Sequence, residues 1–380
     1  MTVTWARVCA RRIERHALSP PAPADRLADV VSAMCGAHAQ VASAAELSVG
    51  LRVAGTTRAT VRDALWRDRT LVKARGPRGT VHLLAAADLP MWTGALSMTP
   101  RPPYEAGRDA LLDPEQTELV VAAIADALRD AELTTEELTE QVVARTGAWA
   151  GDRVMDAFQD KWPRWMIAMT AASRRGAMCF GPNRGRATTY TSPARWLPGF
   201  TPMDGPAALA ELVRRYLHAY GPATPAHFAQ WMATPRRWAE QAFEAVDLDQ
   251  VAVDGSVGFV VAGDTEFPPD GANGVWLLPY FDAYTVGCHP RELLFPGAAR
   301  QRALAGSQAG NFPVLLVDGT VAGVWHQRRS GRRIEVTVEP LAPLTGARRR
   351  ALDQQVARIG QILEGTPSLT IGPVTVGAHA

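Results

Sequence analysis

The sequence predicts an α+β chain: three tandem winged-helix units followed by a small C-terminal β-barrel or sheet module. Three observations predict it. At 380 residues the chain is too long for one core, given roughly 150 residues per domain. The order helix, short turn, helix, β-hairpin recurs three times, and a recurring order outweighs any single element. Beyond about residue 266 the pattern changes to short apolar runs of strand type. The expected boundaries are residues 1–100, 101–203, 204–265 and 266–380.

The first helix follows from Trp5, Val8, Cys9 and Ile13 on one face, and Ser19-Pro20-Pro21-Ala22-Pro23 breaks it. A second helix from about Asp25 carries Leu27, Val30, Val31, Met34 and Cys35, and runs into Gly36-Ala37-His38-Ala39-Gln40. Leu47 and Leu51 mark a third helix. Gly55-Thr56-Thr57 then offers a cap before Val61, Ala64 and Leu65. Arg58, Arg62 and Arg69 share another face of that fourth helix. Leu71–Ala74, Gly76-Pro77-Arg78-Gly79 and Thr80–Leu84 read as a hairpin, with Arg75 and Arg78 at its tip.

The second unit opens with a capping box, Thr134 to Glu137. Helix is expected through Val154 to Ala172. A hairpin over residues 175–190 follows, with Arg184 and Arg186 at its tip. A third unit starts near Ala207. Thr234-Pro235 is its expected helix start, with Trp238, Ala242 and Phe243 on the inner face, and Asp254-Gly255 turns its hairpin. In the last module residues 274–278, 313–317, 321–325 and 334–338 are strand-like, Asp318-Gly319 is a tight turn, and a closing helix covers about 348–363.

Composition narrows the class. The chain is 47% apolar and 21% charged, so it is neither disordered nor fibrous. No run approaches the roughly 18 apolar residues of a membrane span, so no membrane association is expected. Arg7, Arg11 and Arg12 occupy the place of a secretory apolar region, and Glu14 argues against a mitochondrial presequence. Cys9, Cys35, Cys179 and Cys288 stand far apart, excluding a disulfide framework or zinc-finger spacings. A reduced, cytoplasmic protein is the expectation. Gly-x-Ser-x-Gly, a phosphate loop ending in Gly-Lys-Ser/Thr and His-Glu-x-x-His are all missing, and the histidines do not group with cysteines. No metal and no cofactor are expected.

Of the 40 basic residues only Lys73 and Lys161 are lysines. Codon bias accounts for an arginine surplus, since Lys, Asn and Ile are all scarce; a fork that fits phosphate oxygens accounts for it too. Clustering separates the two. Arginines at two hairpin tips would place charge against DNA phosphates and supply affinity without sequence information. The third tip is not basic, so the third unit reads as scaffold. Arg328, Arg329, Arg332 and Arg333 surround a further turn, either a solvated tip or a prong that enters a groove. The Trp residues, such as Trp5, Trp66 and Trp276, sit on apolar faces and read as core.

Four segments carry a resemblance. They are Arg78–Leu83, Gly181–Arg186, Tyr220–Pro225 and Leu278-Pro279-Tyr280-Phe281-Asp282-Ala283-Tyr284. From about residue 5 to 340 the chain resembles the winged-helix DNA glycosylases typified by AlkZ and YcaQ. The resemblance implies a C-shaped scaffold that embraces duplex DNA, excision of bulky alkylated purines, and unhooking of interstrand crosslinks. It implies a catalytic motif of two polar residues around an aliphatic one. His38-Ala39-Gln40 stands at that place: Gln40 matches directly, and His38 stands where the family most often has Gln, as in its His-x-Gln subgroup.

The chemistry suits those residues. A purine alkylated on N7 or N3 is already cationic and leaves without a strong acid. What remains is to hold a water near the anomeric carbon. An amide orients it, and neutral imidazole also accepts its proton. His38 is assigned the base role and Gln40 the water-orienting role. On a regular helix, residues i and i+2 lie about 200° apart and cannot share a target, so this reading needs the helix to stop near Gly36. Otherwise His38 simply closes the buried end of a helix.

The function expected is a monomeric, monofunctional DNA glycosylase acting on double-stranded DNA that carries alkylated purines, in base excision repair or in self-resistance to a genotoxin. The rival is a non-catalytic winged-helix regulator, which would read paired half-sites as a dimer. A protein-interaction scaffold would show no salt-dependent DNA affinity.

Overall fold

Helix α1 (Trp5–Arg15) buries Trp5, Val8, Cys9 and Ile13, the face its spacing predicts. The computed structural model describes residues 1–100, 111–156, 161–304 and 308–378. Strand β1 (Thr2–Val3) precedes α1. The first unit then runs α2 (Leu27–Ala33), β2 (Ala37–His38), α3 (Ala42–Arg52), α4 (Arg58–Trp66), β3 (Leu71–Arg75), β4 (Val81–Ala85) and α5 (Leu89–Ser97). Thr57 and Thr60 cap α4 reciprocally.

The second unit comprises α6 (Pro114–Leu128), β5 (Glu132–Thr134), α7 (Thr135–Thr146), β6 (Arg153–Asp156), β7 (Lys161–Pro163), α8 (Met169–Arg174), β8 (Cys179–Arg184) and β9 (Ala187–Thr191). The Thr134–Glu137 capping box is present. The continuous helix expected through Val154 to Ala172 is not. Gly147 ends α7 at a φ of 112°, and β6 and β7 pair as an antiparallel ribbon before helix resumes. Punctuation by Gly147, Gly151 and Pro163 prevails over the helical spacing.

The third unit holds α9 (Gly205–Tyr220), α10 (Pro225–Met232), α11 (Arg236–Glu244), β10 (Leu248–Val253) and β11 (Ser256–Val261). Here the expected cap shifts by one: Pro235, not Thr234, is the N-cap of α11, and the Thr234 hydroxyl is buried with no hydrogen-bond partner among the described residues. The side-chain cap belongs instead to Thr224, which accepts from the His227 N–H at the start of α10.

The three sheets share one plan. The first is ordered β2-β4-β3 and the second β5-β9-β8, each a hairpin with a short strand added to its second arm. In the third, Ala223 bridges Phe259 on β11, while β1 adds in parallel to β10. The N-terminal segment therefore packs on the third unit. Asp254, at the tip of that hairpin, accepts from the Trp5 N–H, so this tip anchors α1.

The C-terminal module contains β12 (Val275–Leu278), α12 (Ala283–Gly287), α13 (Arg291–Leu294), α14 (Ala298–Ala303), β13 (Val314–Val317), β14 (Thr320–Ser330), β15 (Arg333–Pro340), α15 (Gly346–Ile362) and β16 (Thr366–Ile371). Its five-stranded sheet runs in sequence order, with β16 parallel to β15. β12 and β16 lie at opposite edges, so the module is an open sheet rather than a closed barrel. Strand β16 lies outside the expected elements, because its alternation is weak and its pairing depends on α15 carrying the chain back.

One apolar core joins α1, α9, α10 and the C-terminal sheet; smaller cores fill the first and second units. Between first unit and C-terminal module stands a fully buried ion pair. Arg52 on α3 donates to both carboxylate oxygens of Asp282, at 2.9 and 2.7 Å. Burial by itself would raise the Asp282 carboxyl. Arg52, the Ser48 hydroxyl and the Tyr284 N–H outweigh it and hold it below the usual range. Removing one partner leaves an uncompensated buried charge, so Asp282→Ala should destabilise the fold by about 3–5 kcal/mol. Arg52→Met with Asp282→Leu should recover a large part. Urea unfolding of the three proteins at neutral pH measures this, and a loss below about 1 kcal/mol would make the pair incidental.

Candidate active site

Helix α2 ends at Ala33, before the motif begins. Cys35 and Gly36 then take φ values of 56° and 92°, and the chain turns into β2. Gly36 is fitted to this place: a Cβ there would meet Leu84 at 2.7 Å, and the left-handed backbone favours glycine. His38 thus stands on extended backbone, paired in register with His82 of β4.

His38 is 9% exposed. Its ring packs on Phe281 at 4.5 Å and meets the His82 ring edge-on at 5.1 Å. Its Nδ1 is buried without a hydrogen-bond partner among the described residues. Burial, helped by the nearby Arg78 guanidinium, lowers His38 to about 4. At neutral pH it is therefore an uncharged imidazole with an unused nitrogen. His82 differs: its Nδ1 lies 2.9 Å from the Thr80 carbonyl, which fixes that nitrogen as the protonated one. Burial, reinforced by His38 and Arg78, keeps His82 well below its ordinary value.

Phe281 arrives from the loop between β12 and α12. Its φ is 53°, a left-handed conformation that costs an aromatic residue roughly 1–3 kcal/mol. Its N–H donates to the Gly310 carbonyl, and its neighbour Asp282 is locked by Arg52.

Gln40 has different surroundings. The chain bends there, and the side chain is exposed. It borders a cleft of about 810 Å³ between first and second units, with Arg75 and Val81 of the first hairpin and residues of α7, β7, α8 and β9. No hydrogen bond joins His38 to Gln40 among the described residues, so they do not form a preassembled pair.

The arginines assigned to DNA divide into groups. Arg58 is paired with Glu364 at 2.9 Å, Arg62 clasps Glu46 with two hydrogen bonds, and Arg184 is held by Glu137. Arg75 donates to the Gly79 carbonyl, and Arg78 to the Trp231 carbonyl at the end of α10. Arg186, Arg328 and Arg332 are exposed. Arg329 folds back onto the Leu363 carbonyl. Arg328, Arg329 and Arg332 share the β14–β15 hairpin tip, which lies against the turn after α15: Arg329 reaches Leu363, and Arg58 of α4 pairs with the neighbouring Glu364.

Sequence reasoning misses Phe281, His82 and Arg78 as the surroundings of His38, although all three lie in segments that carry the resemblance. It also misses the cleft, because the helical spacing over Val154 to Ala172 conceals the β6–β7 ribbon that walls it.

A family model described as "DNA glycosylase AlkZ-like" matches residues 31–362. An interstrand DNA cross-link repair glycosylase of Streptomyces sahachiroi is 30% identical over 355 residues, covering 86% of this chain and 88% of that one. The solved structure of the Streptomyces sahachiroi DNA glycosylase AlkZ superposes with a TM-score of 0.79 at 27% identity, over 98% of this chain and 100% of that one.

The state of His38 can be measured. In the unfolded chain it takes up a proton near pH 6.5, whereas in the folded chain it refuses one until about pH 4. The unfolded state therefore binds more protons in that window. Stability should fall as pH drops from 6.5 towards 4, by about 1.4 kcal/mol per unit for each such histidine. His16, lowered to about 3, and His227, lowered to about 4, add to the slope, burial being the main cause for both. An NMR titration of the His38 imidazole should inflect near 4; an inflection near 6.5 would mean that the ring is hydrated.

Proposed function

This chain belongs to the AlkZ-like DNA glycosylases, and from that membership we propose that it excises alkylated purines, including crosslinked ones, from duplex DNA with His38 as general base and Gln40 orienting the water. The observation that carries this reading is the His38 imidazole: buried, uncharged at neutral pH, and with an unused ring nitrogen.

A purine alkylated on N7 or N3 carries a positive charge. As its bond to C1′ breaks, the bonding electron pair passes to the ring and neutralises that charge. The sugar is left as an oxocarbenium-like cation. Water adding to it becomes strongly acidic as its oxygen bonds to carbon, so a base lowered to about 4 still accepts the proton. A charged imidazole in the same place would oppose both the cationic base and the cationic sugar. Lowering by burial suits His38 to this step. Gln40, at the cleft edge, supplies an amide that donates and accepts at once and so fixes the direction of a water.

The three helix–hairpin units are read as winged helices that cradle the duplex, and the arginine hairpin of β14 and β15 as a prong against it. Phosphate contacts of this kind orient the protein without reading sequence. The reading assigns the chain to a monomer that works on cytoplasmic DNA, in repair or in self-resistance to a crosslinking genotoxin.

The test is single-turnover excision from duplexes carrying N7-methylguanine. His38→Ala should lose about 10²- to 10⁴-fold in rate while retaining DNA affinity. Gln40→Ala should also lose most excision. The wild-type rate should stay level down to about pH 5 and fall as His38 protonates near 4. His38→Gln should keep part of the activity and lack that fall. Coincident pH profiles would remove His38 from the chemistry.

For the prong, replacing Arg328, Arg329, Arg332 and Arg333 by Ala should weaken binding to all sequences alike. The log–log salt slope should become shallower by about 0.9 for each phosphate that the variant no longer neutralises. Unchanged affinity, slope and excision would leave the hairpin a solvated tip.

A further inference from the structure

The start of α3, just after the motif, is capped unlike the other long helices around it. Helices α4, α6, α7, α9, α10 and α15 each begin on a Thr or Asp whose side chain accepts a backbone N–H of the first turn. Helix α3 is 11 residues long and begins on Val41, which offers no acceptor. Valine is among the poorest residues for that place, so capping is not what Val41 does there. Val41 is also 40% exposed, in an exposed run from Gln40 to Ser43. An exposed valine is ordinary on a protein surface. This one displaces a cap, and it does so directly beside Gln40.

Its neighbours in the chain face hollows. Ala39 and Ala42 line a pocket of about 360 Å³ with Trp66, Lys73 and Asn183, and Gln40 borders the larger cleft. Val41 lines neither and stands on the ridge between them. Its backbone is extended, at φ −107° and ψ 103°, and its β-branched side chain has little rotamer freedom. The result is a short, stiff, apolar point next to the motif.

The proposed chemistry gives that point a task. In a stacked duplex the bond between base and C1′ is enclosed by the neighbouring base pairs. His38 is 9% exposed and cannot advance into the stack, so the DNA must open towards it. Arginines on hairpin tips hold phosphates and do not part bases. An apolar side chain inserted between base steps does part them.

We propose that Val41 is a wedge that enters the base stack next to the lesion and opens the duplex beside Gln40. This rests on the excision reading above and adds the residue that exposes the bond to be cleaved. Trp162 is also exposed at the cleft, but it belongs to the wall formed by the second unit rather than to the motif's own segment.

The experiment separates opening from excision. 2-Aminopurine, whose fluorescence is quenched by stacking, is placed 3′ to N7-methylguanine on a 2′-fluoro sugar that resists cleavage of the glycosidic bond. Saturating wild-type protein should raise the fluorescence severalfold over the free duplex. Val41→Ser should leave it near the free-duplex value, and Val41→Ile should keep the rise. Serine supplies the missing cap, so Val41→Ser should unfold at the same or a higher urea concentration than wild type. It should bind undamaged duplex as tightly as wild type by fluorescence anisotropy. On the unfluorinated duplex, single-turnover excision by Val41→Ser should fall by about tenfold to hundredfold, the equilibrium worth of burying one valine side chain. That loss should largely disappear when the lesion lies in a mismatch bubble, where the stack is already open.

No rise with wild-type protein, or an equal rise with Val41→Ser, overturns the proposal even if excision proceeds. A rise abolished by Trp162→Ala and kept by Val41→Ser overturns it as well. So does an excision loss that the bubble leaves unchanged, because Val41 would then act on the motif and not on the stack. Weaker binding of Val41→Ser to undamaged duplex also counts against it, since the side chain would then hold DNA in general. If the fluorescence behaves as expected and no lesion is excised from the unfluorinated duplexes, the proposed reaction fails and the wedge stands.

Discussion

The buried contact between Arg52 and Asp282 holds together the surroundings of His38. It links residues 230 apart, one on α3 of the first unit, the other at the entrance to α12. A carboxylate and a guanidinium both wholly withdrawn from water are tolerable only with good geometry and satisfied hydrogen bonds. Here Ser48 and the Tyr284 N–H complete the set around the carboxylate, while the Arg52 Nε stays buried without a partner among the described residues. The residue before Asp282 has little freedom left, and that residue is Phe281. Its strained backbone and its stacking on His38 are consequences of the anchor one position along the chain.

The arginine surplus has an interior use beside codon bias and phosphate binding. Arg12 donates to the Gly221 and Pro222 carbonyls just past α9. Arg78 donates to Trp231 near the end of α10, and Arg291 to Thr285, Val286 and Cys288 around the end of α12. Arg358 reaches Gly50, Val53 and Thr56 around the end of α3. Arg78, Arg291 and Arg358 each supply donors to carbonyls that a helix leaves unsatisfied and place a cation at the negative end of a helix dipole, while Arg12 serves the turn that follows α9. One guanidinium serves several carbonyls because its fork is planar and rigid. Surface and interior arginines therefore have distinct tasks. The exposed ones of the β14–β15 hairpin face solvent, where a polyanion can reach them, whereas Arg78 both ties α10 to the first hairpin and lowers the basicity of His38.

Local patterns were legible. The faces of α1 and α2, the capping box at Thr134, the basic and acidic hairpin tips and the Asp318-Gly319 turn each depend on residues a few positions apart. The ribbon of β6 and β7 was not, because its strands are short and hold together by pairing with each other beside the second core. The cap of α11 moved one residue for a similar reason, as the packing of α10 and α11 buries the Thr234 hydroxyl.

The sequence by itself determined where the proposed motif lies. The stop before His38 is written in Cys35 and Gly36, and the spacing of His38 and Gln40 follows from the extended backbone after it. Tertiary structure decided what kind of group His38 is. The same imidazole would titrate near 6.5 in water. It becomes an uncharged imidazole lowered to about 4 because Phe281, His82 and Arg78, brought in from elsewhere in the chain, displace water from it and set a positive charge beside it. Tertiary structure also parted Gln40 from His38, aligning the amide with a cleft whose walls come from the second unit. Desolvation depends on which atoms surround a group in space, and that information is distributed over the whole chain rather than held in a motif.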